Sequence, residues 1–397
     1  MTSRRLPIVR DILTPTPSSL LQRTLTDFLP FIRINAKPSY LPYGYHLIHF
    51  PTNVRLSTLL PDGTDAMQSP GDPFTRRMWA GGSIIFERAI KLDNSAFHCI
   101  EHIVDVHVKG HENDQKIFVK IERKIYPGKY PGERKKQGEN IIPHLVETRT
   151  LVFMRDDRQK AAADATPSPS KALMPTHTPD FSHTLVPTAA LIFRVSALTF
   201  NAPANHLDKQ YCRDFEGHRN LLVHGPLSLV LMLQFLDEHL RKAGGKSGRE
   251  EINSVEYRNL APLYAEEEMK VCIKRKKKGE ISGSWDVWIE GRDGGYAVKG
   301  TVRTTMMSIG VRPSELRNII WNGAREGASR SPKGNTIPEM KSASVDEIST
   351  EDETIPENEA APTENSTSEA EWLPTKRLQK IILPTFRGEQ NLQKGNH

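Results

Sequence analysis

Between residues 76 and 126 apolar and polar positions alternate with a period of two, in the runs SIIFERAI, AFHCIEHIVDVHVKG and KIFVKIERKIY. That period sends successive side chains to opposite faces, so these runs predict three antiparallel strands separated by polar turns. The Gly, Pro and Lys content of 127–143 predicts an exposed loop, and HLVETRTLVFMR at 144–155 predicts another strand. Periodicity then stops, and the scattered Pro, Ser and Thr of 156–188 predict a linker.

A second structured region begins near Ala189. Its first run, ALIFRVSALTF, predicts a strand, followed by a polar loop at 201–220 and a helix opening near Pro226. Leu229, Met232, Leu233, Leu236 and Leu240 fall at helical spacing, while Val230, Leu231 and Phe235 make most of the remaining circumference apolar. Such a helix is expected to be buried. Ala243, Gly244 and Gly245 end it, and SVEYRNLAPLYA, EMKVCIKRK, SGSWDVWIEG and GGYAVKGTVRTT then predict strands. The implied class is α+β, with an antiparallel sheet wrapped around one helix. The first half repeats the strand-rich pattern, and a helix at 17–29, capped by Thr16 and opened by Pro17, is the candidate for its central element.

Composition alters the picture at the two ends of the chain. Only 37% of the 397 residues are hydrophobic and 28 are proline, so part of the chain is not expected to pack. That part is the tail at 311–397, where an acidic, Ser/Thr/Pro-rich stretch cannot bury enough apolar surface to offset chain entropy. Residues 1–30 carry Arg4, Arg5, Arg10 and Arg23 against Asp11 and Asp27, which fits a mitochondrial presequence or an N-terminal helix.

A net charge of +6 permits an acidic partner without choosing one. The basic run from Lys274 to Lys278 lacks interleaved aromatics and reads as a solvated hairpin turn, so no nucleic acid partner is expected. Cys99, Cys212 and Cys272 stand far apart with no ligand spacing, which suggests neither a disulfide scaffold nor a metal site and fits a reducing compartment. No run approaches the ~18 apolar residues of a membrane span, so no membrane partner is expected.

Two stretches of the second region, FRVSALTFNAPANHLD and EGHRNLLVHGPLSLVLML, resemble the catalytic half of the MaoC-like hydratases, specifically the hydroxyacyl-thioester dehydratase type 2 group. PYGYHLIHFPT and RRMWAGGSIIF are similar to that group's N-terminal domain, and the resemblance covers residues 41–305 in patches. It implies a double hot-dog fold, two curved antiparallel sheets each wrapping a helix, with a disordered C-terminal tail. The implied division is a non-catalytic hot-dog domain at 31–155, a linker at 156–188, a catalytic hot-dog domain at 189–310 and the tail at 311–397.

The resemblance further implies that His206 is the acid/base residue and that Asn201 holds the water or departing hydroxyl. Imidazole suits the first role because it can take and return a proton near neutral pH. Gly225 is the expected amide donor to the thioester oxygen at a helix N-terminus. Arg76 and Arg77 are candidates to contact a phosphate of coenzyme A or phosphopantetheine. His224, just before the helix, reads as structural. Where the group commonly has His and Tyr, this chain has Pro203 and Leu207, which leaves the substrate preference open.

The reaction implied is reversible dehydration of a (3R)-3-hydroxyacyl thioester to the trans-2-enoyl thioester, carried on acyl carrier protein or CoA, without metal or cofactor, in mitochondrial fatty acid synthesis. The alternatives are a CoA-linked hydratase of short branched or dicarboxylic enoyl groups and a non-catalytic acyl-thioester-binding protein. The location expected is mitochondrial, otherwise cytoplasmic, and the state a monomer with an internal pseudo-dimer or a homodimer.

Overall fold

The computed structural model describes residues 1–32, 38–111, 114–128, 142–155, 173–244, 249–278 and 282–307. The expected disordered tail, most of the expected loop at 127–143 and the first part of the expected linker lie outside the described residues. The first five strands are β1 (Val9–Leu13), β2 (Arg76–Phe86), β3 (Ser95–Lys109), β4 (Lys116–Pro127) and β5 (Leu145–Met154). The second five are β6 (Phe181–Leu185), β7 (Arg249–Asn259), β8 (Met269–Lys278), β9 (Ser282–Glu290) and β10 (Tyr296–Met307).

All ten join one sheet in the order β1-β3-β4-β5-β2-β7-β10-β9-β8-β6. Numbered within its own half, each set of five has the order 1-3-4-5-2, so the two halves share one topology. Their second strands, β2 and β7, pair antiparallel at the seam, with Gly82 opposite Tyr257. This is a double hot-dog whose two sheets merge edge to edge, which satisfies the backbone groups that two separate edges would leave open.

The expected buried helix is α5 (Gly225–Ala243), and it lies against β7, β8 and β9. Leu229, Leu231, Met232, Leu233 and Leu236 are fully buried on it. Each such side chain contributes about 1.5–3 kcal/mol by leaving water, so this helix anchors the second half.

Several local expectations are corrected. The run expected as a strand after Ala189 is the helix α2 (Ala189–Leu198), in which Thr188 accepts a hydrogen bond from the Leu191 amide and caps the first turn. Its β-branched and aromatic content favours a strand, yet Leu191, Ile192, Val195 and Ser196 share one buried face at helical spacing, and tertiary packing of that face outweighs propensity. The polar loop expected at 201–220 contains two short helices, α3 (Ala204–Leu207) and α4 (Lys209–Asp214), the latter capped by Asp208. The end of the expected linker carries β6, which pairs with β8.

The basic run from Lys274 belongs to β8 rather than to a turn. Lys274 bonds the Thr178 carbonyl, Arg275 pairs with Glu250, and Lys276 lies 3.3 Å from Asp286.

At the N-terminus the helix α1 (Pro15–Leu25) starts two residues earlier than expected, with Thr14 as cap residue, and β1 precedes it unforeseen. Leu13, Leu21, Leu25 and Leu29 are buried in the main core, so residues 9–29 are part of the fold. In chain order α1 matches α2, since each follows the first strand of its half. The place corresponding to α5 in the first half therefore falls at 45–75. Among the described residues that segment holds only the short 3-10 turns Tyr45–Ile48 and Leu56–Thr58. The first-half sheet thus lacks the covering helix that the second-half sheet has.

Candidate active site

A cleft of about 690 Å³ occupies the space left there, between the 47–68 segment and side chains of β2, β3, β4 and β5. Glu101, Arg123 and Arg149 line it and belong to an ion-pair ladder whose fourth member, Glu147, is buried beneath them. Arg123 on β4 stands opposite Glu101 on one side and Glu147 on the other, at 3.0 and 3.3 Å, and Arg149 adds a 2.8 Å contact to Glu147. Arg149 also lies 4.7 Å over the Trp79 ring.

The second half meets this cleft at the N-terminus of α5 and at α3. All five residues singled out from the sequence, Asn201, His206, Gly225, Arg76 and Arg77, line it. His206 sits in α3, and its Nδ1 donates to the Leu222 carbonyl at 2.8 Å. In the neutral ring that bond places the proton on Nδ1 and leaves Nε2 as the basic atom. Burial pushes its pKa down to about 4; the bond to Leu222 opposes the shift and the positive charge of Arg77 adds to it. The ring is therefore neutral near pH 7.

Behind it the His224 ring stacks on His206 with centroids 3.7 Å apart and planes 27° apart. His224 is itself buried, and its Nε2 shares a 2.9 Å hydrogen bond with Ser196 Oγ on α2. Burial, reinforced by His206, holds its pKa well below the usual histidine value.

Asn201 follows the C-terminus of α2, where Phe200 adopts φ +49° and turns the chain into the cleft. Its amide donates to the Ser196 carbonyl at 3.0 Å, which fixes the backbone, and among the described residues no hydrogen-bond partner is found for its side chain at the cleft. Gly225 is the first residue of α5, so its N–H has no carbonyl one turn back. A Cβ on Gly225 would come within 2.8 Å of Asn259 Nδ2, which donates to the Trp79 carbonyl at 2.8 Å. Only glycine lets β2, β7 and the start of α5 approach this closely.

The arginines are less free than expected. Arg77 lies 3.3 Å from Asp65, and Arg76 reaches the Glu216 carbonyl at 3.4 Å. Glu216 also accepts from the side chain of Asn205, the residue preceding His206. Sequence reasoning missed the first-half contribution to this loop: the Asp62 carbonyl accepts from the Ala204 amide at 2.7 Å, and Gly63 packs on Ala202. PDGTD at 61–65 signals a turn, but nothing in it points to residue 202. The Ser196, Asn259 and Trp79 contacts were equally silent.

The fold is that of the solved MaoC-like dehydratases. A crystal structure of a MaoC-like dehydratase from Phytophthora Capsici superposes with a TM-score of 0.51 at 12% identity, covering 77% of this chain and 97% of that one. Within the class, the hydroxyacyl-thioester dehydratase type 2 family profile matches residues 44–265, more than half of the chain, and the protein belongs to that family. It is 27% identical over 293 residues, 71% of its length and 92% of the relative's, to the mitochondrial hydroxyacyl-thioester dehydratase type 2 of Schizosaccharomyces pombe. It is also 29% identical to the mesaconyl-C(4)-CoA hydratase of Chloroflexus aurantiacus, covering 66% of this chain and 84% of that one.

Proposed function

We propose that the protein interconverts (3R)-3-hydroxyacyl and trans-2-enoyl thioesters, with residues 189–310 as the catalytic half and 31–155 as the half that houses the acyl group. The observation that carries this reading is that a neutral His206, stacked on the residue before Gly225, and the N-terminal end of α5 line one cleft. In dehydration Nε2 of His206 takes the proton from C2. The electrons of that C–H bond become the C2–C3 double bond as the C3–O bond breaks. The proton on Nε2 then goes to the departing hydroxyl, which leaves as water.

During proton removal negative charge grows on the thioester oxygen, and the Gly225 amide is placed to donate to it. Asn201 holds the hydroxyl or the attacking water. Family membership and the fission yeast relative support a hydroxyacyl-thioester substrate and a mitochondrial location, and the carrier of the acyl group is taken to be acyl carrier protein or CoA. The repeated 1-3-4-5-2 topology supports a monomer whose halves act as an internal dimer.

One observation favours a second substrate reading. The charged side chains of Arg123, Glu101 and Arg149 in the cleft wall suit a short acyl group with a polar far end better than a long alkyl chain, and one relative is named a mesaconyl-C(4)-CoA hydratase. Hydration of crotonyl, 2-decenoyl and mesaconyl thioesters, each on CoA and on acyl carrier protein where it can be made, tests both. Turnover of crotonyl and decenoyl carrier substrates supports the first reading; turnover confined to mesaconyl-CoA supports the second. Wild-type protein inactive on all of them overturns both.

A further inference from the structure

The stacked pair His206 and His224 does more than the proposed mechanism uses. The single bond from His206 Nδ1 to the Leu222 carbonyl fixes one atom of the ring, and the ring can still tilt about that contact. A second constraint is needed to aim Nε2 at one carbon of the substrate. The His224 ring supplies a plane at 3.7 Å, and it is held in turn by Ser196 Oγ at 2.9 Å. Both His224 and Ser196 are almost fully buried, at 2% and 4% exposure, so neither is a surface contact of variable geometry.

We infer that His224, anchored by Ser196, is a positioning residue that sets the plane of the His206 ring and so the aim of its basic nitrogen. This rests on His206 being the acid/base residue. The chain of contact runs from α2 through Ser196 to His224 at the cap of α5, and from there to His206 in α3. One side-chain stack thereby ties three helices to the reacting atom. His224 acts as a neutral flat wall. A charged ring in that place would repel the His206 ring at the moment it carries a proton. The charged group that bears on His206 is Arg77, which is itself paired with Asp65.

The inference predicts different outcomes for substitutions that keep or remove the wall. His224→Phe keeps a flat ring of similar size and loses the Ser196 bond; His224→Ala removes the ring; Ser196→Ala removes only the anchor. With the full chain and crotonyl-CoA, His224→Ala is expected to lower kcat about 100-fold with KM within about twofold, and Ser196→Ala about 3- to 10-fold. His224→Phe is expected to recover at least about tenfold over His224→Ala. Nitrogen NMR of the His206 ring should report the Nδ1-protonated form in all variants, because the Leu222 carbonyl sets the tautomer, so that the changes in kcat reflect the aim of the ring and not its protonation.

His206→Ala is the control for the underlying reading. If it abolishes turnover while His224→Ala and Ser196→Ala keep wild-type kcat, the positioning role is overturned and the His206 assignment stands. The positioning role is equally overturned if His224→Phe is no better than His224→Ala, or if His224→Ala raises KM and leaves kcat unchanged. If His206→Ala retains full activity, the assignment beneath the inference fails and the inference fails with it. Ser196→Ala removes a single oxygen from a helix and keeps the question answerable should His224→Ala not fold.

Discussion

The carbonyl oxygen of Leu222 sits 2.8 Å from Nδ1 of His206, and this one contact joins the last residues before α5 to the helix that carries the proposed base. It decides which nitrogen can act. With Nδ1 donating, the other nitrogen is left to the cleft, and burial keeps the ring neutral down to a pKa of about 4.

The first prediction follows from that value. The proposed base is unprotonated over the whole neutral range, so kcat/KM for enoyl-thioester hydration should be flat from about pH 6 to 8 and fall only as pH drops through about 5 toward 4. A rate limb near 6.5, the ordinary histidine value, would contradict it. Stability shares the sign. His206 and His218 both have folded values pushed down to about 4, His218 by burial and then by Arg76 and Arg219. The unfolded chain binds these protons first, so their contribution is complete above about pH 6.5 and is lost as pH falls toward 4, by on the order of 2–5 kcal/mol in all. Urea unfolding at pH 7.5 and 4.5 measures it.

Gly225→Ala should lower kcat about 10- to 100-fold while the protein remains folded, because the added methyl must displace the Asn259 amide and with it the start of α5. Its test is kcat alongside thermal melting; an unchanged kcat would show that the added methyl is accommodated without moving the start of α5.

Gly63→Ala probes the contact between the halves. Gly63 has φ +80°, and a Cβ there would lie 2.3 Å from the Ala202 carbonyl. A destabilisation of about 1–3 kcal/mol is expected, with a fall in kcat because Ala202 leads directly into the His206 helix. Equilibrium unfolding and steady-state rates distinguish the two effects.

Asp237 on α5 has its carboxyl pushed up to about 6 by burial, with Glu251 and Glu238 adding to the shift and Arg249 and Arg241 opposing it. The unfolded carboxyl ionises near 3.8, so the fold bears a penalty that grows between those values and is complete above about pH 6. Asp237→Asn should therefore stabilise the protein by about 1–2 kcal/mol at pH 7.5 and by almost nothing at pH 4, measured by urea titration at both.

Deleting residues 1–13 removes β1 from the sheet edge, uncovers β3 from Ser95 to Cys99 and takes Leu13 out of the core. It also removes Asp11, which lies 2.9 Å from Nδ1 of His49 in the cleft wall. A loss of about 3 kcal/mol or more is expected on denaturant unfolding. Wild-type stability after the deletion would show that this segment is dispensable to the fold.

Much of this architecture could be read along the chain. Eight of the strands, β2 to β5 and β7 to β10, announce themselves by alternation, and α5 by its nearly continuous apolar surface, because period and turn residues act over a few positions. The short β1 and β6 carry too few residues for a period to show. The misreading of α2 has a definite cause: Ile192, Phe193 and Val195 are strand-favouring residues, and the helix forms only because α1 and the main core accept its buried face. The candidates Asn201, His206 and Gly225 were legible through motif resemblance and Arg76 and Arg77 through the affinity of guanidinium for phosphate, whereas the contacts that Leu222, His224, Ser196, Asp65 and Asn259 make around them were not.

Local patterning was enough to specify where the strands and the buried helix run, since each depends on neighbours in sequence. The seam between β2 and β7, the cleft opposite α5 and the stack of His224 on His206 depend on segments separated by anywhere from 18 to more than 170 positions. Nothing in the spacing of residues reports how two half-sheets meet or which face is left without a helix. Those features arise only when the halves pack, because an imidazole's protonation and aim are set by the groups that burial brings against it.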